Sequence, residues 1–401
     1  MEKRYLVLVL IVWGVFLLFN ANIQGNVVRV KTSTTDFTDI QDRGSSFQLT
    51  APPPGPIATA APIIQDCSTP QIIDPSGPSS QEQPQIDDIN GRFVVWTDSI
   101  PSGANIAYYD LGPNLIYGDS DDGGKFVIPS PDIFNAKAKI HNGKIMWLSY
   151  NPPYMGGYKN INSCIIPCTS VTNILSSSNY YIDIDFYNNL LVYSELLNPN
   201  TLPYTTYLYI YDQSTGATNI IYYGGENFGT SIVNGAVIFI HGVFTVPPGS
   251  VYDIFIYDIS TASTIQVTSN PGNAGVGTPK ISLMIPGTNI LGFDQDYGAG
   301  PQIATYVLSG GVLQPVSILS QQSGILGDLD YDPTQNFISI LYFTSGGTFF
   351  EKYLFTSQNL LFIIPNLPNL IGYGPADVYS DTAVLRAKFN GGITKITISK
   401  C

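Results

Sequence analysis

The chain has 401 residues, room for two or three average domains or for one repeat-built β domain of about 300 residues. Charged residues make up only 12% of it, against 26 Tyr, 20 Phe, 38 Gly and 29 Pro, a balance that favours many short strands and turns over amphipathic helices. The formal net charge of -13 excludes nucleic acid or an anionic membrane surface as the main partner, because either would need clustered Lys and Arg.

Lys3 and Arg4 precede an uninterrupted apolar run from Tyr5 to Phe19. Residues 1–25 are therefore expected to be an export signal, with Ala21 or Gly25 as its last residue. The run is shorter than the ~20 apolar residues of a typical span; an uncleaved anchor is the alternative, and only in that case would the chain touch a membrane. The expected location is extracellular or at the cell surface. Residues 26–62 are rich in Thr, Ser, Pro and Ala and lead through Ala51-Pro52-Pro53-Pro54-Gly55-Pro56, the composition of a linker or stalk that cannot bury enough apolar surface to fold alone.

Residues 63–401 repeat. The first unit reads Gln85-Ile86-Asp87-Asp88-Ile89-Asn90-Gly91-Arg92-Phe93-Val94-Val95-Trp96, followed by Asn105-Ile106-Ala107-Tyr108-Tyr109-Asp110. Two apolar runs flanking Asn-Gly predict a hairpin with a type I′ turn, whose central residues both need positive φ. The grammar returns around Asn142-Gly143, Asn188-Asn189 and Asn234-Gly235, and more weakly near Gly287, Gln335-Asn336 and Ser380-Asp381. A short fourth strand closes each unit, as in Phe126-Val127-Ile128 and Thr264-Ile265-Gln266-Val267. Seven turns at a spacing of roughly fifty residues suit four-stranded propeller blades.

The combination of Ile86, Asn90-Gly91 and Val94-Val95-Trp96 with the later Ile106-Ala107-Tyr108-Tyr109-Asp110 resembles the TolB-type propeller repeats of secreted and surface proteins of bacteria and archaea. The resemblance spans residues 68–401 and weakens in units five to seven, where Asn-Gly and Trp are lost. It implies an all-β fold, a single β-propeller with seven four-stranded blades, and an exported binding or scaffolding role. It carries over no catalytic residue.

The seventh unit ends after its third strand, at Cys401, while an orphan strand candidate, Pro70-Gln71-Ile72-Ile73-Asp74, follows Cys67. If that strand completes the last blade, Cys67 and Cys401 meet where a turn would otherwise join the two strands, and a disulfide is expected. A bond from either to Cys164 or Cys168, or a free Cys401, is the competing arrangement. Cys164 and Cys168 are expected to brace a turn, since a redox pair would normally be Cys-x-x-Cys.

Candidate chemistry is sparse. His141 and His241 lie near no recognisable Ser or Cys nucleophile motif, and a structural role is expected for both. Asp119, Asp121 and Asp122 alternate near Gly and could offer oxygen ligands to Ca²⁺, without completing an EF-hand loop. No other cofactor is expected.

The first strand of each unit would line a propeller's channel. Period-two alternation there puts Asp87, Lys137, Lys139, Asp183, Asp185, Lys280, Asp328, Asp330 and Asp377 in a polar ring. The ring is expected to hold interblade ion pairs, with a channel-mouth site for a polar ligand or cation as the alternative. The functional expectation is a non-enzymatic surface or secreted protein that binds a protein or glycan at the propeller face. The alternatives are a polysaccharide hydrolase or lyase using channel carboxylates about 5 to 9.5 Å apart, and a subunit of an extracellular filament or sheath.

Overall fold

The computed structural model describes residues 63–401 apart from 78–79, 153–156, 198–204, 234, 246–248, 268–279, 286–287, 293–302, 310–311, 321–324, 333–336, 345 and 355–359. The expected signal and linker lie outside the described residues. Among those described, the one helical element is the 3-10 turn Asn390–Gly392, and all other regular structure is strand.

The strands fall into seven successive groups along the chain. The first is the antiparallel meander Ser80–Ile86, Phe93–Ile100, Gly103–Asp110 and Gly124–Val127. The second joins Phe134–His141, Lys144–Tyr150 and Tyr158–Ile165 to the first half of the long strand Thr172–Tyr187. The second half of that strand opens the third group, followed by Leu190–Leu196, Thr206–Asp212 and Ala217–Tyr223. The fourth is Glu226–Val233, Ala236–Thr245, Gly249–Asp258 and Ser263–Gln266. Two hairpins make the fifth, Lys280–Ile285 with Thr288–Gly292 and Ile303–Ser309 with Val312–Ser320. Ile325–Asp332, Phe337–Thr344, Gly347–Leu354 and Leu360–Ile364 form the sixth. The seventh has Leu370–Tyr379, Thr382–Phe389 and Thr394–Lys400 from the C-terminus. Its fourth strand comes from the other end of the chain: Gln71–Ile72 runs antiparallel to Thr397 and Ile398. Just before it, Ile63–Asp66 adds a parallel fifth strand to the sixth group, beside Leu360–Ile364.

The second strands are the most apolar because they are covered on both faces. Val94, Val95 and Trp96, Ile145 to Leu148, Val237 to Phe239, and Ala383 to Leu385 are all fully buried. Their side chains pack between consecutive groups rather than within one. Trp147 and Ile145 meet Val95, Ile106 and Tyr108 of the first group, while Val94 and Trp96 meet Val384, Ile396 and Ile398 of the seventh. The apolar layers therefore run between sheets, and the seventh group packs on the first, so the series closes on itself.

The turns refine the hairpin expectation. Asn142 and Gly143 have φ of 49° and 68°, the two positive values that a type I′ turn requires. Asn90-Gly91 is different: strands end at Ile86 and resume at Phe93, and Gly91 N–H bonds Asp87 O at 2.8 Å. Asp87 closes this longer loop, its N–H donating to Phe93 O at 2.9 Å.

Candidate functional site

Each of the seven described first strands breaks register against its second strand. The breaks fall between Glu82 and Gln85, Ala136 and Lys139, Tyr181 and Asp183, Phe228 and Ser231, Leu283 and Ile285, Leu326 and Asp328, and Tyr373 and Ala376. Such a bulge inserts a residue and re-aims the side chains that follow it. Gln83 and Lys137, each with φ 53°, and Gly229, with φ 61°, occupy it in the left-handed region. The expected period-two alternation therefore does not run through these strands.

Beyond the bulge, acidic side chains reach forward to the backbone of the next group's first strand. Asp377 accepts from Ile86 N–H at 2.8 Å, Asp183 from Thr230 N–H at 2.8 Å, Asp185 from Ile232 N–H at 2.8 Å, and Asp328 from Val378 N–H at 2.9 Å. Asp87, fully buried, holds the next group's turn through Asn142 N–H at 3.0 Å and Gly143 N–H at 2.7 Å, and also accepts from Ile89 N–H at 3.1 Å. Burial raises the Asp87 carboxyl above the ordinary range, and neighbouring Asp88 adds to the effect against those three donors.

Among the expected ring lysines, Lys137 lies 3.7 Å from Asp183 and its ammonium also donates to Ile182 O. Lys139 reaches Gln85 Oε1 at 3.4 Å. Asp330 is half-buried on Ile325–Asp332, and the side chain of Lys280 lies outside the described residues. Alongside the Lys137–Asp183 pair, the ring acids Asp183, Asp185, Asp328 and Asp377 make carboxylate-to-backbone bonds between groups.

A second tie runs the other way. Gln81, Asn135 and Asn227 stand at the starts of three first strands and have no exposed surface. Each engages the third strand of the preceding group. Gln81 accepts from Ile396 N–H at 3.0 Å, Asn135 donates to Ala104 O at 2.9 Å, and Asn227 donates to Thr206 O at 3.1 Å and Oγ1 at 3.0 Å. These amides escaped sequence reasoning. The available signal was positional, since Asn135 and Asn227 each precede an Asn-Gly by seven residues.

The histidines belong to the same joinery. His141 Nδ1 lies 2.7 and 2.9 Å from the two Asp88 oxygens, and Nε2 lies 3.2 Å from Asn188 Oδ1, so one ring links the turns of the first three groups. His241 Nδ1 bonds Asn227 Oδ1 at 2.9 Å, while its buried Nε2 has no partner among the described residues.

Cys67 is joined to Cys401 across 334 residues, with Cα atoms 4.3 Å apart, and Cys164 is joined to Cys168 at 5.1 Å. Around the first bond the N-terminal segment is held by Tyr117 O–H, which donates to Ile72 O at 2.9 Å and Ile73 O at 2.8 Å. Lys125 pairs with Asp74 and, at 2.7 Å, with Asp98, and Lys395 donates to Gly77 O at 2.7 Å.

In the acidic loop the Asp119 and Asp121 side chains meet. The Asn114 amide donates to Asp119 and, at 2.9 Å, to Asp121, whereas Asp122 turns away to accept from Tyr109 O–H at 2.8 Å and Gly118 N–H at 2.7 Å. Among the described residues no three acidic, His or Cys side chains converge in a metal-binding group.

Open space lies at the other end of the sheets, where second strands turn into third strands and one group connects to the next. A cleft of about 390 Å³ is lined by Asn151, Lys159, Asn160, Ser177 and Ser178, between the second group and its connection to the third. Beneath it sits Asp132, 8% exposed, which accepts from Ser149 O–H, from Asn151 at 2.5 Å and from Asn160 and Asn162 at 3.1 Å each. The Lys159 ammonium lies 3.8 Å from the Tyr180 ring centroid and donates to Asn179 O at 2.8 Å; burial lowers its pKa, against the pull of Glu195. A second cavity, about 260 Å³, occupies the matching position between the sixth and seventh groups, with Phe343, Thr344, Thr348, Asn366 and Tyr373 on its walls.

No protein-family model and no curated protein matches the sequence. Solved structures do. The propeller domain of the trilobed protease from Pyrococcus furiosus, which has an open velcro topology, aligns at TM-score 0.50 and 11% identity over 80% of this chain and 92% of that one. Oligogalacturonate lyase from Vibrio parahaemolyticus aligns at TM-score 0.52 and 10% identity over 84% and 98%. The fold is a β-propeller. TolB from Acinetobacter baumannii aligns at TM-score 0.40 and 13% identity over 76% and 78%. At these identities the likeness concerns the fold alone. The strand groups are its blades, the ties of Asp87, Asp183, Asp185, Asp328 and Asp377 run from blade to blade, and the two cavities open at equivalent interblade positions. The last blade receives Gln71–Ile72 from the N-terminal segment.

Proposed function

We propose that the protein is an exported propeller that binds a protein or glycan through the open end of its blades and serves as a surface or secreted binding or scaffold component, without chemistry of its own. The observation that carries this reading is the division of labour among polar groups. The first-strand aspartates, the natural acids for a polysaccharide hydrolase or lyase, are engaged as ties to the neighbouring blade. Amides, hydroxyls and one ammonium are what face the larger cleft. Export is supported by the Lys3-Arg4 and apolar N-terminal pattern together with two disulfides.

The test is incubation of the purified protein with surface proteins and polymeric glycans isolated from its own cells, followed by sedimentation and sizing of the polymers. Retention of a discrete macromolecule with no shortening of any polymer is expected. Release of glycan fragments that is lost in Asp183→Asn would replace this reading with the enzymatic one.

A further inference from the structure

We infer that the two interblade cavities are carbohydrate subsites, and that the ligand of the open end is a neutral polysaccharide whose ring hydroxyls are taken up at the cleft of Asn151, Lys159, Asn160, Ser177 and Ser178. The inference rests on the binding reading above and specifies its ligand.

Three features select this chemistry. The cleft presents amide and hydroxyl groups, which both donate and accept, as a sugar hydroxyl does. It presents them rigidly: buried Asp132 holds Asn151 and Asn160 from below, Ser176 O–H donates to Asn160 Oδ1 at 2.9 Å, and Ile133 N–H donates to Asn151 Oδ1 at 2.9 Å. Side chains fixed before binding lose little entropy on binding, which matters for a ligand that offers mostly hydrogen bonds. Finally, the acids nearby point inward. Asp132 is covered by its amide donors and Glu195, 9% exposed, accepts from Ser177 O–H, so no carboxylate lines the cleft to hold a cation, and the one cation there, the Lys159 ammonium, is already engaged by Ser178 O and Asn179 O over the Tyr180 ring.

The second cavity repeats the recipe with different residues. Thr344 and Thr348 supply hydroxyls, Asn366 an amide, and Phe343 and Tyr373 apolar faces against which a pyranose ring can pack. At about 390 and 260 Å³, the cavities fall at or just below the lower end of the size range for small-ligand pockets, suited to one or two sugar rings each. Two such subsites on one end of one molecule would give a polymer avidity that a short oligosaccharide lacks.

Ser178 and Asn366 are exposed positions, so a large side chain there fills the cavity without entering the core. The experiment measures retention of the purified full chain on immobilised neutral glucans and mannans and on a polyuronate, for the wild type, Ser178→Trp, Asn366→Trp and the double variant. Retention on at least one neutral polymer is expected, falling tenfold or more in each single variant and lost in the double, with unchanged circular dichroism. Wild-type retention on the polyuronate alone, on no polysaccharide, or undiminished in the double variant overturns the inference. Continued capture of a protein from the cell-surface fraction by the double variant would sink the carbohydrate assignment and leave the broader binding reading standing; no capture of anything by the wild type would sink both.

Discussion

At His141 and His241 the fold moves the protonation of two nearly fully buried imidazoles in opposite directions. Burial acts to expel the proton from His141, but the bonds to Asp88, the charge of Asp88, the Asn188 oxygen and Asp87 together outweigh it, and the pKa is raised above 6.5. Acceptors at both ring nitrogens suit the imidazolium, which alone can donate to both. At His241 burial lowers the pKa to about 4, and Asn227 Oδ1, which can only accept, fixes the proton on Nδ1. The stability His141 contributes is fully present below its unfolded pKa of about 6.5 and is lost as pH rises through the raised folded value. His241 does the reverse: below pH ~6.5 the unfolded chain gains a proton that the folded chain refuses, and stability falls on the order of 3 kcal/mol by pH 4. Because the sequence has only two histidines, NMR titration with His241→Gln as the assignment variant resolves both curves, and two midpoints near 6.5 would contradict this account. Asp87 offers a simpler test at the same scale. Asp87→Ala strands the N–H groups of Ile89, Asn142 and Gly143 and should lower stability by about 2–4 kcal/mol, with faster amide exchange at Asn142 and Gly143. An unchanged denaturation midpoint would mean that water replaces the carboxylate without cost.

The recurring bulge is the element that makes a meander into a blade. In four first strands acids beyond it meet the next blade, and in three an amide before it faces the previous one. Asn135 tests the backward tie. Besides Ala104 O, it accepts from Trp147 Nε1–H at 2.8 Å and Ser130 O–H at 2.6 Å, so Asn135→Leu leaves a buried indole N–H and two carbonyls unpaired. A loss of about 3 kcal/mol is expected, with an altered Trp147 emission spectrum; normal stability and emission would show that the amide only fills space. These elements also mark what the sequence could and could not convey. The second strands were legible because runs such as Phe93-Val94-Val95-Trp96 are apolar on both faces, and Asn142-Gly143 was legible because its backbone needs positive φ. The bulges were not. Gln83 and Lys137 take φ 53° without being Gly or Asn, and nothing in a period-two pattern signals the extra residue. With the register misjudged there, Asp183 and Asp185 could be placed on the inner strand but not matched to their donors, Thr230 and Ile232. The clefts were equally hidden, since Asn151, Asn160 and Ser178 come together only through the sheet, and single Asn and Ser residues in loops carry no signature.

For the whole molecule the decisive feature is that the last blade is completed by a strand from the N-terminal segment. The joining strand is only two residues long, Gln71–Ile72, so its ladder alone holds little. Tyr117, the Asp74–Lys125–Asp98 cluster and the Lys395 bond to Gly77 O also hold the segment, so its folded position is expected to survive loss of the Cys67–Cys401 bond. The disulfide should therefore act mainly on the unfolded chain, by forbidding separation of its ends. In the chain-entropy model a loop of 334 residues is worth about 6 kcal/mol and the loop between Cys164 and Cys168 about 2 kcal/mol, before any enthalpic terms. Replacing Cys67 and Cys401 by Ser is expected to lower the denaturant midpoint by more than the same change at Cys164 and Cys168. It should also raise the denaturant dependence, because the freed unfolded chain exposes more surface, while the native circular dichroism stays the same. The contrast between the two pairs is what makes the test sharp. If removing the short-range bond costs more, or if loss of the long-range bond alters native circular dichroism, then the N-terminal segment is held chiefly by sulfur, and the contacts of Tyr117, Lys125 and Lys395 are too weak to close the ring.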